Sequence, residues 1–134
     1  MSALPVSQLD TTTLSTSKGL RKVVVALTHE SDRLHTFDIE VCYSPEDVAA
    51  LTMQVHTLRT ALANPGVLVD EGRATVMVDA DHDDVTFYLP TGSDYAILHL
   101  TMSAVRAFVN ACAKRTPSDA RRSMRAASTA WTVA

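Results

Sequence analysis

The apolar positions of this chain change period several times, and the changes divide it into elements. From Leu20 to Thr28 the β-branched run Val23-Val24-Val25 predicts a strand. After a polar turn at His29 to Arg33, Phe37, Ile39, Val41 and Tyr43 alternate with Asp38, Glu40 and Cys42, the period-two signature of a half-buried strand. The spacing of the two runs predicts an antiparallel hairpin. Residues 45–63 admit two readings. In one, Val48, Leu51, Val55, Leu58 and Leu62 recur at three- and four-residue steps, as in a helix capped by Ser44. In the other, Ala49, Leu51, Met53 and Val55 share one face of a strand. Periodicity by itself favours one helix, stopped by Asn64-Pro65-Gly66.

Three short strands follow as a meander: 74–78, 85–89 and 95–100, separated by the polar turn Asp81 to Asp84 and by Pro90-Thr91-Gly92-Ser93. Thr101 is a helix cap for residues 102–115, where Val105, Phe108, Val109 and Cys112 fall on one face, and Thr116-Pro117 ends the helix. Residues 1–17, rich in Ser and Thr, read as a flexible lead-in. Residues 118–134, alanine-rich and basic, read as a short helix that Trp131 could anchor. The expected organisation is one α+β domain over 18–117 between two tails.

Composition bounds the function class. The 134 residues are 46% hydrophobic and 20% charged with a net charge of −3, a globular average. No apolar run approaches the ~18–20 residues that span a bilayer, and the first residues lack the basic start and apolar core of a secretory signal. Cys42 and Cys112 lie far apart with no C-x-x-C, which predicts a cytoplasmic protein with buried thiols. The charge is uneven. Residues 114–125 hold Lys114, Arg115, Arg121, Arg122 and Arg125 against Asp119, a net +4, and the 7 basic and 14 acidic residues elsewhere give −7. Lys114 and Arg115 suit a helix end. Arg121, Arg122 and Arg125 are the candidate contacts for a partner or for nucleic acid.

Catalytic patterns are missing from the sequence. Asp79, Asp81 and Asp83 alternate as in a calcium loop, but the sixth and twelfth positions are Asp84 and Pro90 where glycine and glutamate are needed. A solvated hairpin tip is the simpler reading of that run. The histidines at 29, 35, 56, 82 and 99 show no metal-ligand spacing. No G-x-S-x-G elbow occurs, and four glycines at 19, 66, 72 and 92 cannot form a phosphate-cradling loop. The chain therefore reads as a non-enzyme, with neither a metal nor a cofactor called for.

The order of elements resembles the SsgA-like proteins, actinobacterial regulators of sporulation and cell division. The resemblance rests on the strand Phe37 to Tyr43, the segment Val48 to Val55 with Leu58 and Leu62 after it, and the turn Asn64-Pro65-Gly66. It continues through Gly72 to Val76, Val85 to Leu89, Tyr95 to Leu98, and Val105, Phe108 and Val109 of the last helix, over roughly residues 20–117 as a divergent relative. It implies a strand at 48–55 and a short helix at 56–63. The fold it implies has about six mainly antiparallel strands in two small sheets, with a short helix and a long C-terminal helix, similar to the whirly type. The implied function is that of a non-enzymatic adaptor, a homo-oligomer and often a trimer. Such an adaptor is cytoplasmic, recruited to division septa, and acts on the cell-division machinery. The alternative is a module binding single-stranded nucleic acid through its sheet and the arginines of its C-terminal segment.

Overall fold

The computed structural model describes residues 6–30, 32–72, 74–91 and 94–114. Along the chain run β1 (Val6–Thr16), β2 (Gly19–His29), β3 (Thr36–Ser44), β4 (Asp47–Gln54), α1 (Val55–Ala63), β5 (Val69–Asp70), β6 (Thr75–Asp79), β7 (Asp84–Thr91), β8 (Asp94–Thr101) and α2 (Met102–Ala113). All eight strands belong to one antiparallel sheet in the order β4-β3-β2-β1-β8-β7-β6-β5. The expectation of about six strands in two small, whirly-like sheets is thus corrected. Two four-strand meanders are fused where β1 pairs with β8, with Leu14 opposite Leu98 and Thr16 opposite Ala96.

The strand at that junction is the one the hydrophobic pattern hides. Residues 6–16, expected to be part of a flexible lead-in, form β1 and pair along their whole length with β2, from Val6 opposite His29 to Thr16 opposite Gly19. Of positions 8–14 that face the same way as the core of β2, Gln8, Asp10 and Thr12 are polar and Leu14 is the buried apolar residue, while Leu9 on the opposite face is 66% exposed. Neither period two nor an apolar run marks such a strand. Its β-branched Thr11-Thr12-Thr13 and its two neighbours supply what the pattern lacks. The two-residue β5 is too short to leave any periodicity.

Residues 45–63 resolve in favour of the second reading, as a strand followed by a helix. β4 turns Met53 inward and leaves Val48 and Ala50 exposed, and the helix begins at Val55 with Gln54 as its cap residue. The helical spacing of Val55 and Leu58 is real, whereas Val48 and Leu51 continue it by coincidence from a strand. The backbone N–H of Val55 donates to the carbonyl of His35 (2.9 Å), which fixes the turn from strand to helix against the start of β3.

Both helices pack on the inner face. α2 buries Val105, Phe108, Val109 and Cys112 and touches β1, β7 and β8, while α1 buries Val55, Thr57, Leu58 and Ala61. Because α1 touches β4 at one edge of the sheet and β5 and β6 at the other, the sheet curls around the helices as a half-barrel. Phe37, Ile39, Leu58, Val76, Val85, Phe87, Leu98 and Val105 are completely buried in the concavity. The outer face is the larger surface left open by this arrangement.

Candidate interaction surface

The charged run between β6 and β7 does not converge on a single point. Asp79 Oδ2 lies 2.7 Å from His82 Nδ1, bridging a single 3-10 turn over Ala80–His82. Asp83 ends that turn in the left-handed conformation (φ 51°, ψ 43°), which Asp tolerates better than most residues. Its carbonyl accepts from the N–H of Met102 (3.0 Å), tying the hairpin tip to the start of α2. Asp84 turns instead to the outer face, where it accepts from Thr86 Oγ1 (2.8 Å) and faces His99 Nδ1 (3.0 Å). Among the described residues no three His, Cys, Asp or Glu side chains gather as metal ligands.

The Asp84, Thr86, His99 group looks like a nucleophile triad only by residue type. In a triad the histidine bridges nucleophile and acid through its two ring nitrogens. Here Thr86 Oγ1 and Asp84 both lie against the same Nδ1, at 3.2 and 3.0 Å, and Thr86 donates directly to Asp84. The group is a hydrogen-bonded cross-strand pair, since Thr86 stands opposite His99 in the β7–β8 register. His29 is fully buried, with Nε2 3.1 Å from the Leu34 carbonyl, so that nitrogen donates and the ring closes the β2–β3 turn. Arg121, Arg122 and Arg125, the candidate contacts of the sequence, lie outside the described residues.

Sequence reasoning missed the most distinctive surface, an apolar patch on the outer face of the first meander. The register sets Thr11, Val24, Cys42 and Val48 in one row across β1, β2, β3 and β4, and Leu9, Ala26, Glu40 and Ala50 in the next. Leu9 is 66% exposed, Val48 49% and Val24 43%. A shallow groove of about 440 Å³ is lined by the whole first row, with Lys22, Tyr43 and Pro45 beside it. The Arg21 guanidinium lies 5.0 Å from the Tyr43 ring centroid, a cation–π contact beside the groove. A signal was present in the sequence. Three consecutive valines in a strand cannot all face one side, so the middle one, Val24, had to point away from the core.

At the far end of the same face Asp38 accepts from Thr52 Oγ1 and from Arg33 Nη2, both at 2.7 Å. Partial burial works to raise the Asp38 pKa, but the hydrogen bonds from Thr52 and Arg33 and the charge of Arg33 outweigh it and hold the carboxyl below its ordinary value. Asp94 is held low by the backbone N–H of Tyr95 and by the Ser17 hydroxyl.

Among the described residues no helix is long and apolar enough to cross a membrane. No protein-family model matches the chain, and no curated protein matches it. Solved structures do. One is a structure of SsgB, reported with mutations that correlate with longitudinal cell division during sporulation of Streptomyces coelicolor; it superposes with a TM-score of 0.66 at 16% identity, over 91% of this chain and 99% of that one. Another is an SsgA-like sporulation-specific cell division protein of Thermobifida fusca, with a TM-score of 0.67 at 13% identity over 98% of this chain and 99% of that one. The sequence resemblance is therefore met at the level of the backbone: the chain has the fold of the SsgA-like sporulation and cell-division proteins, at an identity of 13–16%.

Proposed function

We propose that the chain is a non-enzymatic regulator of cell division or sporulation that works by protein–protein contacts. The observation that carries this reading is the superposition on two such proteins over more than nine-tenths of the chain. The exposed apolar patch on the outer face supports it, because an adaptor requires a docking surface and no catalytic constellation. In this reading the chain is a cytoplasmic homo-oligomer, a trimer, brought to division septa by the division machinery. Arg121, Arg122 and Arg125 are contact residues on its basic segment.

A fluorescent fusion produced in a sporulating actinobacterium tests the proposal. Regular septal bands, recovery of division proteins on co-purification and a trimeric mass in light scattering are expected. Uniform fluorescence with no division protein recovered would overturn the regulator reading, and a monomer would overturn the trimer. Salt-steep binding of a single-stranded oligonucleotide, lost when the three arginines become glutamine, would instead make the chain a nucleic-acid-binding module.

A further inference from the structure

The two edges of the sheet are protected very differently. At one end β5 is two residues long, a short and inconspicuous edge. At the other, β4 runs for eight residues, Asp47–Gln54, and among the described residues has a strand partner only in β3. No backbone hydrogen bond among the described residues uses its outer side. Residues 48–54 contain no charge and no proline, so the devices that usually discourage strand pairing are missing along the middle of this edge. They are confined to its ends. Glu46 and Asp47 stand at the start, and the Glu71 carboxylate sits beside Gln54 at the finish. None of these three acids forms an ion pair among the described residues.

We propose that β4 is a β-augmentation site, on which an extended segment of a partner protein docks as a ninth strand, with an uncharged, alternately apolar centre and Lys or Arg at both ends. Backbone hydrogen bonds supply the affinity in this mode, and side-chain neighbours supply the selection. The acids at the two ends favour basic flanks in the partner and oppose a second copy of this chain, which would bring its own acids to the same place. On the outer face the added strand extends the row Thr11, Val24, Cys42, Val48 by one position, so an apolar side chain opposite Val48 continues the exposed patch into the partner. The proposal deepens the adaptor reading by giving its contacts a place, and rests on that reading only for the partner being a protein.

The test uses the full chain and a capped synthetic peptide, Lys-Thr-Val-Thr-Val-Thr-Val-Lys, followed by NMR hydrogen exchange. Slowed exchange is expected at Ala50 and Thr52 and extends to Val48. Their N–H groups share the direction of the Gln54 N–H, which leaves the sheet for Glu71, whereas Val55 and the residues of its parity turn theirs to β3. Two further peptides, N-methylated at even or at odd positions, should differ, because a strand presents only one set of amides to the edge; one is expected to bind and the other to fail. A peptide with Glu in place of both Lys should bind about fivefold more weakly at low salt, the gap closing as salt is added. No change in β4 exchange at millimolar peptide would overturn the proposal, as would equal binding of the two N-methylated peptides. Protection of β4 that rises with protein concentration in the absence of peptide would assign the edge to a second copy and overturn it also. These outcomes concern the edge alone, whereas septal localisation concerns the regulator role, so either can fail without the other.

Discussion

The backbone N–H of Gln54, the last residue of β4, donates to Oε2 of Glu71, just beyond β5, at 3.2 Å. β4 and β5 are the two outermost strands of one eight-stranded sheet, so a single side chain ties its opposite edges together under α1. The other carboxylate oxygen, Oε1, is shut from solvent and has no hydrogen-bond partner among the described residues. Glu71→Ala removes the acceptor and leaves the Gln54 N–H to find water, a loss of about 1 kcal/mol by denaturant titration. Hydrogen exchange at the Gln54 amide is the more specific measurement. It should accelerate in the variant well beyond the global change in stability, and an unchanged rate would mean that the edges are held by α1 alone.

The inner face is centred on Phe37 of β3 and Phe108 of α2, whose ring centroids are 5.4 Å apart with planes at 61°, an edge-to-face contact. Both rings are almost entirely buried. Phe108→Ala should destabilise the protein by about 3–5 kcal/mol, since α2 lies over the sheet and cannot collapse into the space left behind. A double-mutant cycle with Phe37→Leu should return a coupling of about 0.5–1.5 kcal/mol, the part due to the ring pair itself. A coupling near zero would reduce the contact to area burial.

These two contacts also mark where the sequence was legible. Phe37 and Phe108 stood out because each belongs to a regular pattern, Phe37 with Ile39 and Val41 at period two and Phe108 with Val105, Val109 and Cys112 on one helical face. Glu71 had no pattern, because its role comes from the curl of the sheet and joins residues with no local relation. β1 was illegible for a related reason. It lies between β2 and β8, and its inward Gln8, Asp10 and Thr12 carry no hydrophobic alternation, so its pairing is supplied by its neighbours. The outer-face patch was legible only in part, at Val24 in its run of three valines. Its other members, Leu9 and Val48, lie on strands that periodicity did not find or read as a helix.

Asp38 gives the protein a defined dependence on acid. Its folded pKa is depressed, so the folded state holds this carboxyl deprotonated where the unfolded chain, with a value of about 3.9, begins to bind a proton. The stabilisation is present in full above the unfolded value and is lost as pH falls through the folded one. Asp38→Asn should therefore flatten the fall in stability below about pH 4 and cost at neutral pH no more than about 1 kcal/mol, because Arg33 is partly exposed. Denaturant titrations at pH 3, 4 and 7 check the sign. Some slope will persist in the variant, since Asp94 is depressed as well.

Thr101 closes β8 and opens α2, and the side chain makes the second role explicit: Oγ1 accepts from the N–H of Ala104 at 3.2 Å. This is a hydroxyl cap on one of the N–H groups that the first turn of a helix leaves without a partner. A second of those donors, on Met102, is taken by the Asp83 carbonyl, so the start of α2 is held by its own cap and by the tip of the β6–β7 hairpin. Thr101→Ala should cost about 1 kcal/mol, and Thr101→Ser, which keeps the acceptor, should recover most of it. Exchange of the Ala104 amide should accelerate in the alanine variant and return toward the original rate in the serine variant, while the Met102 amide, bonded to Asp83, stays slow in both. If Met102 exchanged as fast as Ala104, the hairpin tip would not be holding the helix independently, and the whole first turn would depend on Thr101.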